Sequence, residues 1–371
     1  MNKIAFFADH IAHWQAGTEG QMLMLANGLA KKGWTVPLFV LRDSGAAQDS
    51  RWPGPVTALS VTSIASPLNW LKAVRVARQL RKAGFRFAHI YFNDTSMLLP
   101  PLFRLMGIKT IVSRRDMGFW YSERSLGVLR IVRFFVSAIV ANSTAVASNV
   151  MQAEGYNKDK ISVIYNGMEP VKSAAPAEVP AQSGPVIGIL ANIRPVKRLD
   201  DAVRAFSLIS KRFPQAKLRI VGGGDPSELN ALTRQLGLEG RVEFPGKVMN
   251  PASEIAEFTV AMLTSESEGF SNAVMEYMQA GKPVICTNTG GNPELIEDEI
   301  NGYLCDVGDL RAMADRLTAL LDDAELRDRI GEAAREKVSE LCNEESMLEQ
   351  HIVLYERLCD RQEATEPACA S

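Results

Sequence analysis

Apolar and polar positions alternate along this chain in two rhythms. KIAFF at 3–7 is a short apolar run, residues 19–32 have a helix period, and WTVPLFVL at 34–41 is again strand-like. FAHIYF (87–92), KTIVS (109–113), AIVAN (138–142) and ISVIYN (161–166) repeat the short apolar form. Continuous apolar runs separated by helical stretches predict a parallel sheet with helices on both faces, because a strand buried on both sides shows no in-out alternation. Four prolines among small side chains, GMEPVKSAAPAEVPAQSGP, break the rhythm at 167–185 and read as a linker. It restarts with VIGILANI (186–193), AKLRIVGGG (216–224), RVEFPG (241–246), FTVAMLTS (258–265), PVICTN (283–288) and GYLCDV (302–307), separated by helical stretches such as LDDAVRAFSLISKRF (199–213).

The pattern predicts an α/β protein of two doubly wound, Rossmann-like domains. Residues 1–168 form the first, 169–185 the linker and 186–343 the second. A helix at 344–361 follows, with Met347, Leu348, His351, Tyr355 and Leu358 at helix spacing, and then a polar tail at 362–371. The helix must bury its apolar stripe and is expected to pack back on the first domain. Two such domains are expected to face each other across a cleft at the carboxyl ends of their strands, where open α/β sheets bind ligands.

Composition adds bounds. With 371 residues, 46% apolar and 23% charged, the chain has material for two ordinary cores. It holds no apolar run of about twenty residues, and MNKIAFFADH lacks a leader pattern. Five cysteines, odd in number and without a C-x-x-C pair, predict reduced thiols and a cytoplasmic location. Charge is uneven: residues 1–170 carry 20 Lys and Arg against 10 Asp and Glu, a balance of +10, and the remainder carries 21 against 33, a balance of −12. A basic first half suits an anionic surface or polyanionic substrate; an even spread on a solvated domain is the alternative.

The most informative stretch is SESEGFSNAVMEYMQAGKP at 265–283. Ser271 or Asn272 is a natural helix N-cap, and Gly281 before Lys282-Pro283 a natural stop. The helix start then offers backbone N–H groups and a positive dipole end to an anion such as phosphate. Glu276 falls on the polar side with Asn272 and Gln279, opposite Val274, Tyr277 and Met278. A carboxylate one turn from a phosphate site can accept both hydroxyls of a ribose, which places Glu268 beside the hydroxyls of a sugar attached to the phosphate. An ordinary solvated surface glutamate is the alternative for Glu276.

This segment resembles the E-x7-E motif of the retaining glycosyltransferases of family four, which have the GT-B fold. Ser265, Glu268-Gly269-Phe270, Glu276 and Gly281-Lys282-Pro283-Val284 match its positions. GTEGQMLMLANGLAKKGWTV resembles the family's first phosphate loop and helix, with Gly17 and Glu19 at the matching places. VIYNG (163–167) and GGNPELIEDEINGYL (290–304) resemble the family's domain-closing segments. The resemblance implies that Arg194 and Lys197 hold the donor diphosphate, with Gly269, Phe270, Ser271, Asn272 and Ala273 at the phosphate-binding helix start. It implies that Glu268 holds donor-sugar hydroxyls, Glu276 the ribose, and the main chain of Pro245, Gly246 and Lys247 the base. Retention of configuration is likewise implied by the resemblance alone, and the resemblance favours a uridine diphosphate donor, with guanosine diphosphate as the minority alternative.

Two departures stand out. The family's commoner arginine position is occupied by Asn192, two residues before Arg194. Many relatives place a histidine before the aspartate where this chain has Arg115-Asp116. Asp116 is a candidate for contact with donor sugar or acceptor, or a simple strand-end cap, and Arg115 a candidate reader of an anionic acceptor. No Asp-x-Asp occurs, so metal independence is expected, protein cations replacing the ion.

The expected acceptor is a saccharide or lipid-linked molecule in cell-surface polysaccharide, lipopolysaccharide or glycolipid assembly. Arg75, Arg78, Lys82 and Arg86 are expected to line one face of a helix as a peripheral contact with anionic lipid; a solvated basic face is the alternative. A nucleotide-sugar epimerase of the same architecture and a non-catalytic nucleotide-sugar-binding protein are the rival readings. Nucleic acid is disfavoured for want of interleaved aromatics. GGGD at 222–225 lacks the spacing of a dinucleotide site.

Overall fold

The computed structural model describes residues 2–14, 17–43, 45, 50–169 and 184–363, with side chains through Cys359. Most of the expected linker (170–183) and the tail from 364 onward lie outside the described residues. The chain divides into two compact units, residues 1–167 with 344–371, and residues 168–343.

In the first unit, β1 (Ile4–Ala8), α1 (Gly17–Lys31), β2 (Leu38–Val40), β3 (Val56–Ala58), α2 (Pro67–Lys82), β4 (Phe87–Ile90) and α3 (Asn93–Leu105) come first. They are followed by β5 (Lys109–Arg114), α4 (Glu123–Val132), β6 (Ala138–Ala141), α5 (Thr144–Glu154) and β7 (Ile161–Val163). The strands form one parallel sheet in the order β3-β2-β1-β4-β5-β6-β7. The order reverses direction on either side of β1, the topological switch that opens a crevice at the strands' carboxyl ends. Every residue of β1 is buried, which is why its sequence shows no alternation.

β4 ends short of its apolar run. Phe92 adopts φ 68°, and the buried carboxylate of Asp9, at the end of β1, accepts the backbone N–H groups of Asn93, Asp94 and Thr95 at 3.2, 2.9 and 2.8 Å. Asp9 thus caps α3 from 84 residues away in sequence, satisfying donors a helix start leaves open. α2 ends at Lys82 with Ala83 as its C-cap. Arg86 therefore lies off the helix, and the cationic stripe expected on it reduces to Arg75, Arg78 and Lys82, because Gly84 breaks the helix before the fourth position.

In the second unit, β8 (Val186–Leu190), α6 (Leu199–Ile209), β9 (Lys217–Val221), α7 (Ser227–Gln235), β10 (Val242–Gly246), α8 (Pro251–Glu257), β11 (Val260–Leu263) and α9 (Asn272–Gln279) lead. β12 (Val284–Thr287), α10 (Asn292–Leu295), β13 (Tyr303–Cys305), α11 (Leu310–Asp322) and α12 (Ala324–Leu341) complete it. The sheet is again parallel, in the order β10-β9-β8-β11-β12-β13.

α13 (Glu344–Glu363) returns to the first unit. Met347, Leu348, Leu354, Tyr355 and Leu358 join the core that β1, α1 and β4 form. Each such side chain contributes on the order of 1.5–3 kcal/mol by leaving water. A buried polar link pins the helix: His89 Nδ1 lies 2.8 Å from Tyr355 Oη and its Nε2 lies 2.9 Å from Ser113 Oγ. Burial pushes the His89 pKa well down, so the ring is neutral, with one donor and one acceptor nitrogen for the two hydroxyls.

Candidate functional site

All six strands of the second sheet run the same way, so the loops after β8, β9, β10, β11 and β12 meet at one edge. The loop after β8 makes a single 3-10 turn at Pro195–Lys197 and leaves it through Arg198 at φ 45°. Two bonds stitch this turn to the loop after β11. Thr264 Oγ1 donates to the Lys197 carbonyl at 2.8 Å, and Glu266 N donates to the Val196 carbonyl at 2.8 Å. With both backbones fixed, Lys197 Nζ donates to Glu268 Oε1 at 2.6 Å. Their side chains are 25% and 12% exposed, so this ion pair is neither a loose surface contact nor sealed from a ligand.

Glu268 is held from the other side by the loop after β12. Gly291 N donates to its carbonyl at 3.3 Å. Gly290 has φ 54°, and a Cβ there would stand 1.7 Å from that same oxygen; only glycine fits. The chain then passes Gly269 and buried Phe270 to Ser271, whose hydroxyl accepts from Val274 N and caps α9. Asn272 and Ala273 open the helix, both half-buried. Glu276 lies one turn on. It is half-buried, no hydrogen-bond or ionic partner meets its carboxylate among the described residues, and burial pushes its pKa up to about 7. The next residue ties α9 to β8, since Leu190 N donates to Tyr277 Oη at 2.5 Å.

The exposed side chain of Arg194 meets no protein partner among the described residues, whereas that of the nearby Arg198 is taken by Asp201 at 2.6 Å. Asn192, at the family's commoner arginine position, uses its Oδ1 to accept from Gly223 N at 2.9 Å. The glycine run at 222–224 is what makes this fit: a Cβ on Gly222 would come within 2.1 Å of the Ala191 carbonyl, and one on Gly224 within 2.8 Å of Ile193 Cβ. Sequence reasoning set these glycines aside as a failed dinucleotide motif. Three consecutive glycines after a strand were the available signal that two loops pack backbone to backbone. Gly246, at φ 78°, accepts from Gly222 N at 3.0 Å, with Pro245 and Lys247 exposed beside it.

The remaining predicted residues belong to the first unit. Gly17 is the exposed first residue of α1, and Glu19 is buried in its first turn. Arg115 donates from Nη2 to Asn166 Oδ1 at 2.5 Å. Burial lowers its pKa, and Tyr91 and Glu19 work against that. Asp116 Oδ1 accepts from Gly118 N at 2.7 Å and Trp120 Nε1 at 3.2 Å; burial raises its pKa despite those bonds. Thr18, Tyr91, Ser113, Arg115, Asp116 and Trp120 line a pocket of about 30 Å³. The adjacent Arg114 has a different task. It grips Glu154 through two bonds of 2.7 and 3.0 Å, fully buried, and Tyr121 Oη donates to the same carboxylate at 2.5 Å.

Residues 172–337 match the sequence family described as glycosyl transferases group 1, and residues 16–172 match the one described as Glycosyltransferase Family 4. The N-acetyl-alpha-D-glucosaminyl L-malate synthase of Bacillus anthracis is 39% identical over 176 residues, which is 47% of this chain and 46% of that protein. The poly(ribitol-phosphate) alpha-N-acetylglucosaminyltransferase of Staphylococcus aureus is 28% identical over 176 residues, covering 47% and 36%. This chain therefore matches less than half the length of either relative. The crystal structure of HepE from Anabaena in complex with UDP superposes with a TM-score of 0.85 at 20% identity, covering 96% of this chain and 100% of that one. With its two parallel-sheet units in the GT-B architecture and both halves matched, the chain belongs to the glycosyltransferases of family 4.

Proposed function

We propose that this chain transfers a sugar from a UDP-sugar to a hydroxyl of a saccharide or lipid-linked acceptor, with retention of configuration, in the assembly of cell-surface polysaccharide or lipopolysaccharide. The observation that carries the reading is the contact of Lys197 with Glu268 at 2.6 Å, beside the start of α9. A cation suited to a diphosphate and a carboxylate suited to sugar hydroxyls stand side by side next to the start of a helix. In this reading Lys197, Arg194 and the α9 amides neutralise the charge that grows on the departing diphosphate, a type of stabilisation worth about a hundred- to a thousandfold in rate for one donor. The chain has no Asp-x-Asp, and we assign that neutralisation to these groups without a metal ion.

Glu268 would accept hydroxyls of the donor sugar, Glu276 both ribose hydroxyls, and the backbone at Pro245–Lys247 would flank the base. Gly17 and Glu19 are assigned to the donor from the first unit. The acceptor hydroxyl would attack on the face from which the diphosphate leaves, the departing phosphate taking its proton, so no protein nucleophile is needed. Arg115 and Asp116 are assigned to the acceptor. Malate and poly(ribitol phosphate), named in the two relatives, are both anionic, which supports an arginine at that place. Both names also contain N-acetylglucosaminyl, and UDP-N-acetylglucosamine is the first donor to test.

A thermal-shift panel of UDP, UDP-N-acetylglucosamine, UDP-glucose and GDP-mannose tests the donor. Ligand at a hundred times its dissociation constant adds about 2.7 kcal/mol. Nuclear magnetic resonance of the product from the best donor then reports the anomeric configuration. No shift with any uridine nucleotide, or epimerised donor without acceptor, overturns the proposal.

A further inference from the structure

A row of buried polar groups runs from α13 to the pocket beside Arg115, and the proposed chemistry does not use it. Tyr355 Oη on α13 meets His89 Nδ1 at 2.8 Å, and His89 Nε2 meets Ser113 Oγ at 2.9 Å. The Ser113 hydroxyl is in turn hydrogen-bonded to that of Tyr91. All four side chains are buried, and Ser113 and Tyr91 line the pocket together with Arg115.

Such a row donates in one direction only. Each hydroxyl has one proton, and the neutral imidazole of His89 has a single N–H. If Tyr91 donated to Ser113 and Ser113 to Nε2, then Nδ1–H would donate to Tyr355 and the Tyr355 proton would be left over. Tyr355 is fully buried and bonds only to His89 among the described residues, so that order strands a donor without water or partner, at the full cost of its desolvation. In the opposite order Tyr355 donates to Nδ1, Nε2–H to Ser113 and Ser113 to Tyr91. The proton left over is then that of Tyr91, which has the pocket as its outlet.

The cation at this outlet lacks a counter-ion. Arg115 donates to the neutral amide of Asn166 and makes no ion pair among the described residues, although the Glu19 carboxylate acts on it from a distance. The Asp116 carboxylate in the same pocket is bonded to Gly118 and Trp120 and feels the charge of Arg114 instead. A space of about 30 Å³ holds one or two water-sized groups, which suits the oxygens of one carboxylate or phosphate and not a sugar ring. We propose that Tyr91 donates its hydroxyl proton, beside Arg115, to an anionic oxygen of the acceptor, and that Tyr355, His89 and Ser113 are positioning residues that hold Tyr91 in the donor role. The identity of the ligand as acceptor rests on the glycosyl-transfer reading; the order of the hydrogen bonds does not.

Nuclear magnetic resonance of the full chain with nitrogen-15 in its four histidines tests the order, the His89 signals being those lost in His89→Gln. A neutral ring protonated at Nε2 is expected; a proton on Nδ1, or an imidazolium, overturns the proposal. Phosphate and acetate, titrated separately by calorimetry in excess UDP, test the seat and distinguish a phosphoryl from a carboxylate ligand. Tyr91→Phe and Ser113→Ala are each expected to weaken the bound anion about tenfold or more, and Ser113→Thr, which keeps the hydroxyl, to bind like wild type. Ser113→Ala leaves Tyr91 and Arg115 in place, so a merely structural serine would not move this readout. Binding of neither anion, or equal binding by wild type, Tyr91→Phe and Ser113→Ala, overturns the proposal. The UDP thermal shift of the wild type keeps the two readings apart: the expected anion results without any UDP response uphold the seat and refute the donor assignment, and a UDP response with neither anion bound does the reverse.

Discussion

Replacing Glu276 with glutamine should stabilise the protein in a pH-dependent way. In the fold, burial raises the carboxyl from 4.5 to about 7, with no cation or hydrogen bond in compensation. Below pH 4.5 the group is protonated in folded and unfolded chains alike and has no effect. As pH rises through that value the unfolded chain ionises first, so the folded state is penalised increasingly until its own carboxyl ionises near pH 7. The full difference, about 2.5 pK values, corresponds to roughly 3 kcal/mol, which solvent reaching a half-buried group trims to about 1–3. Glu276→Gln should therefore match wild type near pH 4.5 and gain that amount near pH 8, read from thermal or urea denaturation at each pH. UDP should narrow the gap, because ribose hydroxyls donating to the carboxylate favour its charged form. Calorimetry of UDP binding near pH 6 should then show proton release, as a dependence of the enthalpy on the buffer's ionisation heat. A variant whose stability parallels wild type at every pH would refute the burial argument, and UDP binding without proton release would remove Glu276 from the ribose.

Other substitutions separate the roles of neighbouring groups. Arg194→Ala removes a side chain without a protein partner among the described residues and should leave the stability within about 0.5 kcal/mol of wild type while weakening UDP binding. Lys197→Ala should lower turnover by about a hundred- to a thousandfold, measured with the donor the thermal-shift panel identifies; turnover within a few fold of wild type would exclude the lysine from the diphosphate. Gly290→Ala places a Cβ on the Glu268 carbonyl and should cost roughly 2 kcal/mol or more in stability, with loss of donor binding. Glu154→Gln strands the buried charge of Arg114 and should cost about 3–5 kcal/mol, seen in denaturation of the first unit.

Much of the fold was legible because buried parallel strands write themselves as apolar runs: KIAFF, KTIVS and PVICTN correspond to β1, β5 and β12. β3 was not legible. Val56–Ala58 is a half-exposed edge strand of three residues, too short to set a pattern. Where FAHIYF continued past the ladder, the stop came from Asp9 gathering amides 84 residues away, a contact no local window contains. In the candidate site, spacing placed Glu276 on the polar side of its helix but said nothing of its burial, which depends on what packs around α9. Lys197 and Glu268 lie 71 positions apart; the family pattern named both, and only the fold put them in contact. The two arginines at 114 and 115 are adjacent in sequence and opposite in use, because successive side chains at a strand end point to opposite faces.

The placement of α13 imposes an order on biosynthesis. All seven strands of the first sheet have been synthesised by residue 163, yet part of one of its helical layers, the helix beside α1, is supplied by residues 344 onward. At about 5–20 residues per second, the 176 residues between 167 and 344 delay that layer by roughly 9–35 s. Throughout this interval the nascent chain displays a strip of unroofed apolar surface beside Phe6 and Leu25, an invitation to chaperones. The second unit holds all its own elements and can close first, so the half made last is free to mature before the half made first.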